Sequence, residues 1–509
     1  MLKRLLPLLA LVLALGACAD ADPDAGIAAP DVNEEVRADD GEGADGPITE
    51  SVDDVFDALL DDGFSGLVMI NDGGDVNTAG FGLADREADV SWDENTVFTV
   101  GSITKQFTAA AILRLEMDGL LSVEDRLGDH LPDVSGELAD VTLHQLLTHT
   151  GGLPDGLGDD FAPTSSADIV GLSNGAVEAG DVGTTFRYSN PGYSLLGVVI
   201  EEVTGDGYER YLHDALFEPA GMTNTGYLLP DWSDDVVAVG YEGERAWGRP
   251  IDKPWADDGP HWHLRANGGI LSTGVDMLAW HRALLGDDIL DEAAKAKLYD
   301  RHVAEDPGGG EWSYGYGWSN VDLPDGGTLI THNGGNGIFF ADFLRFLDDD
   351  LTILVATNEA RVDENVAYRI ADAVRGTDYS QGSVVCAPDT VADLEVLADL
   401  PDGPRGETLA ALQAAVTTAD DAERRAFATD HVNAPLIADL SVEEVSAEIL
   451  LVQEELTPFT FADVRRSDDD TYHLVFTGTA DTDGDAVISA VIDPDDPSSI
   501  TCVDVGFGY

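Results

Sequence analysis

Lysine is almost absent from this chain. Only Lys3, Lys105, Lys253, Lys295 and Lys297 occur among 509 residues, and 26 Lys and Arg residues face 98 Asp and Glu. The formal charge of −72 excludes nucleic acid and an anionic membrane surface as partners, because like charge repels. The acid is spread along the whole sequence, so it reads as a surface adaptation whose self-repulsion high salt would screen. A salt-tolerant or halophilic source is the expectation. Cysteine is equally scarce, with Cys18, Cys386 and Cys502 only, which excludes a disulfide-built scaffold. Long apolar runs are also missing. Leu5 to Leu15 is too short to span a bilayer, and no other stretch is longer and as apolar.

What is present at the N-terminus reads as a processing segment. Lys3 and Arg4 precede the apolar run, and Leu15-Gly16-Ala17-Cys18 follows it. This resembles a bacterial lipoprotein signal, residues 1–17, with Cys18 acylated after cleavage. An ordinary signal peptide is the alternative. The lipid reading implies an extracytoplasmic protein held to the cell membrane by its N-terminal lipid only. Residues 18–50 are rich in Asp, Glu, Gly, Ala and Pro without hydrophobic periodicity, as expected of an acidic tether. In an oxidising compartment Cys386 and Cys502 are expected to form one disulfide, or to remain two separate buried thiols.

With 44% apolar residues the remainder can bury a full core. Helical spacing starts near Val52. Strand patterns run over 64–71 and 76–83, and an apolar helix follows Ser102 and ends near Asp118-Gly119. From about 120 to 310 the chain reads as helix and loop, with Thr142 placed to cap a helix. Strands return at 312–318, 328–332, 337–347 and 351–357, closed by a helix over 364–374. The expected architecture is α/β of the α+β type, a mostly antiparallel sheet built from both ends of a domain spanning 51–380, with a helical insertion. Residues 381–509 read as helices followed by a meander, a small α+β domain of NTF2-like or cystatin-like order.

The chemistry-bearing stretch is Ser102-Ile103-Thr104-Lys105. It follows Phe98-Thr99-Val100-Gly101 and opens the apolar helix. Residues three apart share a helix face. Burying a lysine there is costly unless it is paired or neutral, and a desolvated lysine beside a serine hydroxyl is a candidate base for a nucleophile. Alone, Ser102 could be a helix cap. Two further segments occur in order: Tyr188-Ser189-Asn190 before an apolar helix, and His332-Asn333-Gly334-Gly335 after a strand.

Together with Leu146-Leu147-Thr148-His149-Thr150-Gly151-Gly152-Leu153 and Gly268-Gly269-Ile270-Leu271-Ser272-Thr273, these motifs resemble the serine β-lactamase and penicillin-binding-protein superfamily. The likeness is to its branch of class C enzymes, D-Ala-D-Ala carboxypeptidases, D-aminopeptidases and related esterases, and it covers about residues 52–378. It implies a β-lactamase/transpeptidase-like fold and a Ser102 acyl-enzyme with no metal or other cofactor. Lys105 and Tyr188 would share the proton work, the phenolate needing a nearby cation. Asn190 would hold the substrate's acyl-side carbonyl and orient Lys105. The backbone N–H groups of Ser102 and Gly335 would form the oxyanion hole, and His332, Asn333 and Gly334 would bind substrate. Penicillinases usually carry a lysine where His332 stands, so the resemblance implies a small peptide or ester substrate, D-amino-acid peptides above all. β-Lactamase activity and a non-turnover penicillin receptor are the alternatives. His149 is expected to be structural, His261-Trp262-His263 a cleft loop rather than a metal site, and Asp481–Asp485 a hairpin turn rather than a calcium loop.

Overall fold

The computed structural model describes residues 51–61, 63–177, 182–232, 236–243, 245–305, 312–323, 326–359 and 365–377. Beyond these it describes 395–397, 400, 403–417, 424–427, 429, 460–466, 471–477, 486–492 and 500–507. The expectations for residues 1–50, Cys386, the helix over 442–455 and the 481–485 turn lie outside the described residues, as does the Cys502 side chain. The chain divides into two compact units, one formed by Val52–Ala371 and another carrying the residues from Asp372 onward.

The first unit is built on an eight-stranded sheet. Its strands run in the spatial order Asp75–Phe81, Gly66–Asp72, Leu351–Thr357, Phe340–Phe346, Thr328–Gly335, Ser319–Asp322, Ser313–Tyr314 and Val303–Ala304. Every neighbouring pair is antiparallel. Strands from the two ends of the unit meet where Gly66–Asp72 pairs with Leu351–Thr357, Val68 facing Val355. Leu351–Thr357 is buried along its whole length, because both faces of the central sheet are covered and a continuous apolar run fits such a strand better than alternation does. Asp75–Phe81 lies at the edge and is largely exposed.

Helices fill the segment between the two groups of strands. The helix Thr104–Met117 buries Thr104 through Leu113 and Leu115, the polar Thr104, Lys105, Gln106 and Thr108 among them. It packs in one core with Asn190–Thr204 and Gly274–Leu285, including Phe107 against Phe217 and Trp280. Thr142 caps Leu143–Leu147 through the Gln145 N–H, and the Gln145 side chain returns to the Thr142 N–H, a reciprocal capping box.

The helix-and-loop middle also contains short strands. Gly240–Glu242 pairs with Arg245–Gly248, and Phe98–Thr99 with Leu271–Ser272. The last pairing ties the residues before Ser102 to the Gly268–Thr273 segment. Ser319–Asp322 is a strand too. Its sequence, Ser-Asn-Val-Asp, is polar and carries no alternation, and only pairing on both sides makes it one. In the second unit five strands form an antiparallel meander in the order Glu395–Leu397, Thr460–Arg466, Thr471–Thr477, Ala486–Ile492, Ile500–Phe507, alongside the helix Pro404–Thr417.

Candidate active site

Ser102 sits in a single 3-10 turn, Gly101–Ile103, that leads into the helix Thr104–Met117. Gly101 has φ +52, a conformation a residue with a Cβ rarely adopts. A Cβ there would also stand 2.6 Å from the Gly334 carbonyl carbon. Gly334 is constrained from the other side, since its Cβ would lie 2.2 Å from the Val100 carbonyl oxygen and 2.4 Å from the Ser102 nitrogen. The strand Thr328–Gly335 therefore runs backbone to backbone against the serine turn. Gly334 permits that approach, which brings the neighbouring Gly335 peptide beside Ser102.

Lys105 is fully buried. Its Nζ lies 3.0 Å from Ser102 Oγ, 2.7 Å from Asn190 Oδ1 and 2.9 Å from the Asn267 carbonyl oxygen. Burial pulls its pKa down to about 7, against the opposing pull of Asp155 and Asp160. Two of the three partners can only accept. The amide orientation of Asn190 is fixed because its Nδ2 donates to Asp155 Oδ1 at 3.3 Å. A neutral amine has two N–H groups and one lone pair. With both N–H groups given to Asn190 and Asn267, the lone pair is left for the Ser102 hydroxyl.

Tyr188 hydrogen-bonds Ser102 from a half-buried position, and desolvation raises its pKa. Its ring lies under the lysine amine, with Lys105 Nζ 4.6 Å from the ring centroid. The expected cation-stabilised phenolate is thus not the resting state. The lysine faces the ring, and burial of the phenol, with Asp155 and Glu305 nearby, keeps its proton on. His149 explains how Tyr188 is held. It takes φ +57, its Nδ1 accepts the Ser189 N–H at 3.0 Å, and its ring packs 4.4 Å from that of Tyr188. The residue expected to be structural supports the Tyr188-Ser189-Asn190 turn directly.

His332 is buried and neutral. Its Nδ1–H donates to the Asn333 carbonyl at 2.5 Å, so its Nε2 accepts the Tyr314 hydroxyl at 2.9 Å. Burial and nearby Lys105 lower its pKa to about 3. The cleft that holds Ser102 is lined by Asn190, Asn267, Gly335 and Asn336, with Asp160, Phe161, Trp247 and Trp255 on its walls. Of the strand residues expected to bind substrate, His332, Asn333 and Gly334 do not line it, whereas Gly335 and Asn336 do. Strand alternation turns His332 inward among the rings of Tyr188 and Tyr314.

The site thus brings together Ser102, Lys105, Tyr188, Asn190 and the Gly334–Gly335 backbone. Sequence reasoning missed the Asn267 carbonyl, Tyr314, Asp155, Asp160 and Asn336. Asn267 directly precedes the quoted Gly268-Gly269 pair, a signal that could have found it. The others lie on loops or short strands without a motif. His261-Trp262-His263 borders the same loop, with Asn267 Nδ2 donating to the His263 carbonyl.

A family model described as Beta-lactamase matches residues 52–375, more than half of the sequence, and the chain belongs to that family. Proteins of this fold are generally hydrolases. Among curated proteins the chain is similar to Penicillin-binding protein 4* of Bacillus subtilis (strain 168), with 28% identity over 351 residues, 65% of this chain and 75% of that one. Among solved structures it is similar to a penicillin binding protein from Bacillus halodurans, at 27% identity and a TM-score of 0.55, covering 63% of this chain and 99% of that one. The octameric penicillin-binding protein homologue from Pyrococcus abyssi covers 89% of this chain and 96% of its own, with a TM-score of 0.59. At 20% identity that likeness is one of fold.

Proposed function

We propose that the protein is a serine hydrolase that acts on D-amino-acid peptides or small esters through a Ser102 acyl-enzyme. The observation that carries this reading is the environment of Lys105: a buried amine with a pKa near 7, two obligate acceptors, and the Ser102 hydroxyl as its third partner. Lys105 takes the Ser102 proton as Oγ bonds to the substrate carbonyl carbon. The oxyanion lies between the Ser102 and Gly335 N–H groups. As the tetrahedral species collapses, the leaving group departs with a proton from Lys105, relayed by the protonated Tyr188 hydroxyl. Water then cleaves the ester by the same path in reverse.

β-Lactams are expected to acylate Ser102 slowly. Among the described residues lining the cleft no cationic side chain awaits their carboxylate, and His332 is neutral. A panel of D-alanyl peptides, D-aminoacyl amides, p-nitrophenyl esters and a cephalosporin tests the reading. Turnover lost in Ser102→Ala supports it, and turnover retained in that variant overturns it. A stable penicillin adduct on Ser102 with no release of any substrate would favour the receptor alternative. We further place the protein outside the cytoplasm, tethered by lipid on Cys18. Cys18→Ser would then release it from the membrane fraction, and unchanged membrane association would contradict the tether.

A further inference from the structure

The wall of the Ser102 cleft carries one formal charge among its described residues, and it is negative. Asp160 accepts no hydrogen bond from any described residue, and its side chain is exposed to the cleft. The other acids nearby are engaged: Asp155 holds Asn190 Nδ2, and Asp159 caps the Phe161 N–H at 2.8 Å. The rings of Phe161, Trp247 and Trp255 line the same cleft, with Phe161 and Trp247 centroids 6.0 Å apart. Lys105 acts on Asp160 only through space, because its Nζ is held by Ser102, Asn190 and Asn267. The cation on the aromatic wall is Lys253. It is already committed, with Nζ 3.2 Å from the Trp247 ring centroid and donating to the Trp247 carbonyl at 2.6 Å. A carboxylate with no hydrogen-bond donor, in a cleft walled by electron-rich rings, is the chemistry that recognises an ammonium group. Unpaired, the same carboxylate repels an anionic substrate.

We infer that Asp160, with Phe161, Trp247 and Trp255, makes the enzyme select acyl donors that carry a positive charge on the acyl side. The inference rests on the Ser102 acyl-enzyme reading. The placement on the acyl side follows from the loop that carries Asp160. That loop is fastened to Asn190, whose N–H donates to the Asp155 carbonyl at 3.0 Å, and Asn190 is the residue assigned to the acyl portion of the substrate. On the Thr328–Gly335 strand and just after it, only Gly335 and Asn336 reach the cleft. Asp160 is a specificity residue: it contacts the ammonium group and takes no part in bond making.

Three p-nitrophenyl esters with one leaving group test it. One carries a trimethylammonio-butyryl chain, one the uncharged isostere with a tert-butyl end, and one a glutaryl chain ending in carboxylate. A quaternary ammonium stays charged at every pH, and assays run above the Asp160 pKa, which desolvation and then neighbouring Asp159 raise to about 6. The cation is expected to exceed its isostere in kcat/KM by about tenfold or more, and the anion to fall below both. In Asp160→Asn the cation-to-isostere ratio should collapse toward one. Using a ratio removes the effect of Asp160 on Lys105, since both esters meet the same base. Equal rates for cation and isostere, or an unchanged ratio in Asp160→Asn, would overturn the inference. If that variant does not fold, the wild-type series alone decides. Hydrolysis surviving in Ser102→Ala would instead sink the acyl-enzyme reading, so the two failures are distinguishable.

Discussion

At the scale of single residues the site turns on how many hydrogens Lys105 has to give. An ammonium would donate to Ser102, Asn190 and Asn267 alike. A neutral amine, with Asn190 Oδ1 and the Asn267 carbonyl fixed as acceptors, must receive from Ser102. Burial brings the change of state to about pH 7. The base works only when deprotonated, so kcat/KM is expected to rise with pH through about 7 and to lose about tenfold per unit below it. A profile flat across that range would contradict the assignment. Lys105→Arg should not rescue activity, because guanidinium does not deprotonate. Its acylation rate should fall by about a thousandfold, as for loss of a general base. The identities of Ser102, Lys105, Tyr188 and Asn190 were legible in the sequence because short motifs mark them. The protonation states were not, since they depend on burial and on partners such as Asn267, Asp155 and Tyr314 that arrive from elsewhere in the chain.

At the scale of elements the serine turn and the Thr328–Gly335 strand form one unit. Gly334→Ala would drive a methyl group into Val100 and Ser102. The variant is expected to lose about 2 kcal/mol of stability and most of its activity, measured by chemical denaturation and ester turnover. Full activity in a folded variant would mean that this close approach is not needed. Thr142→Ala removes a capping box remote from the chemistry. It should cost about 1 kcal/mol with kcat/KM little changed. The long elements could be read from periodicity: Leu351–Thr357 has the ends that its apolar pattern indicates. Trp312 to Trp318 reads as one strand, yet only Ser313–Tyr314 is extended. Gly317, at φ +73, turns the chain toward Ser319–Asp322. Two- to four-residue strands such as these carry too little pattern to stand out, and tertiary pairing alone defines them.

At the scale of the whole molecule charge dominates. A formal charge of −72 repels itself in dilute buffer, and salt shortens the reach of that repulsion to about 3 Å at 1 M. The melting temperature is therefore expected to rise by several degrees between dilute buffer and about 1 M salt. A melting temperature indifferent to salt would remove the case for a salt-adapted surface. None of this bears on the central claim, that Ser102 is acylated with Lys105 as its base. The most direct test is to quench the enzyme rapidly during turnover of a p-nitrophenyl ester and weigh its peptides by mass spectrometry. The account predicts the acyl increment on the peptide containing Ser102, absent from Ser102→Ala and strongly reduced in Lys105→Arg. An increment on another residue, or ester turnover unchanged in Ser102→Ala, would contradict it.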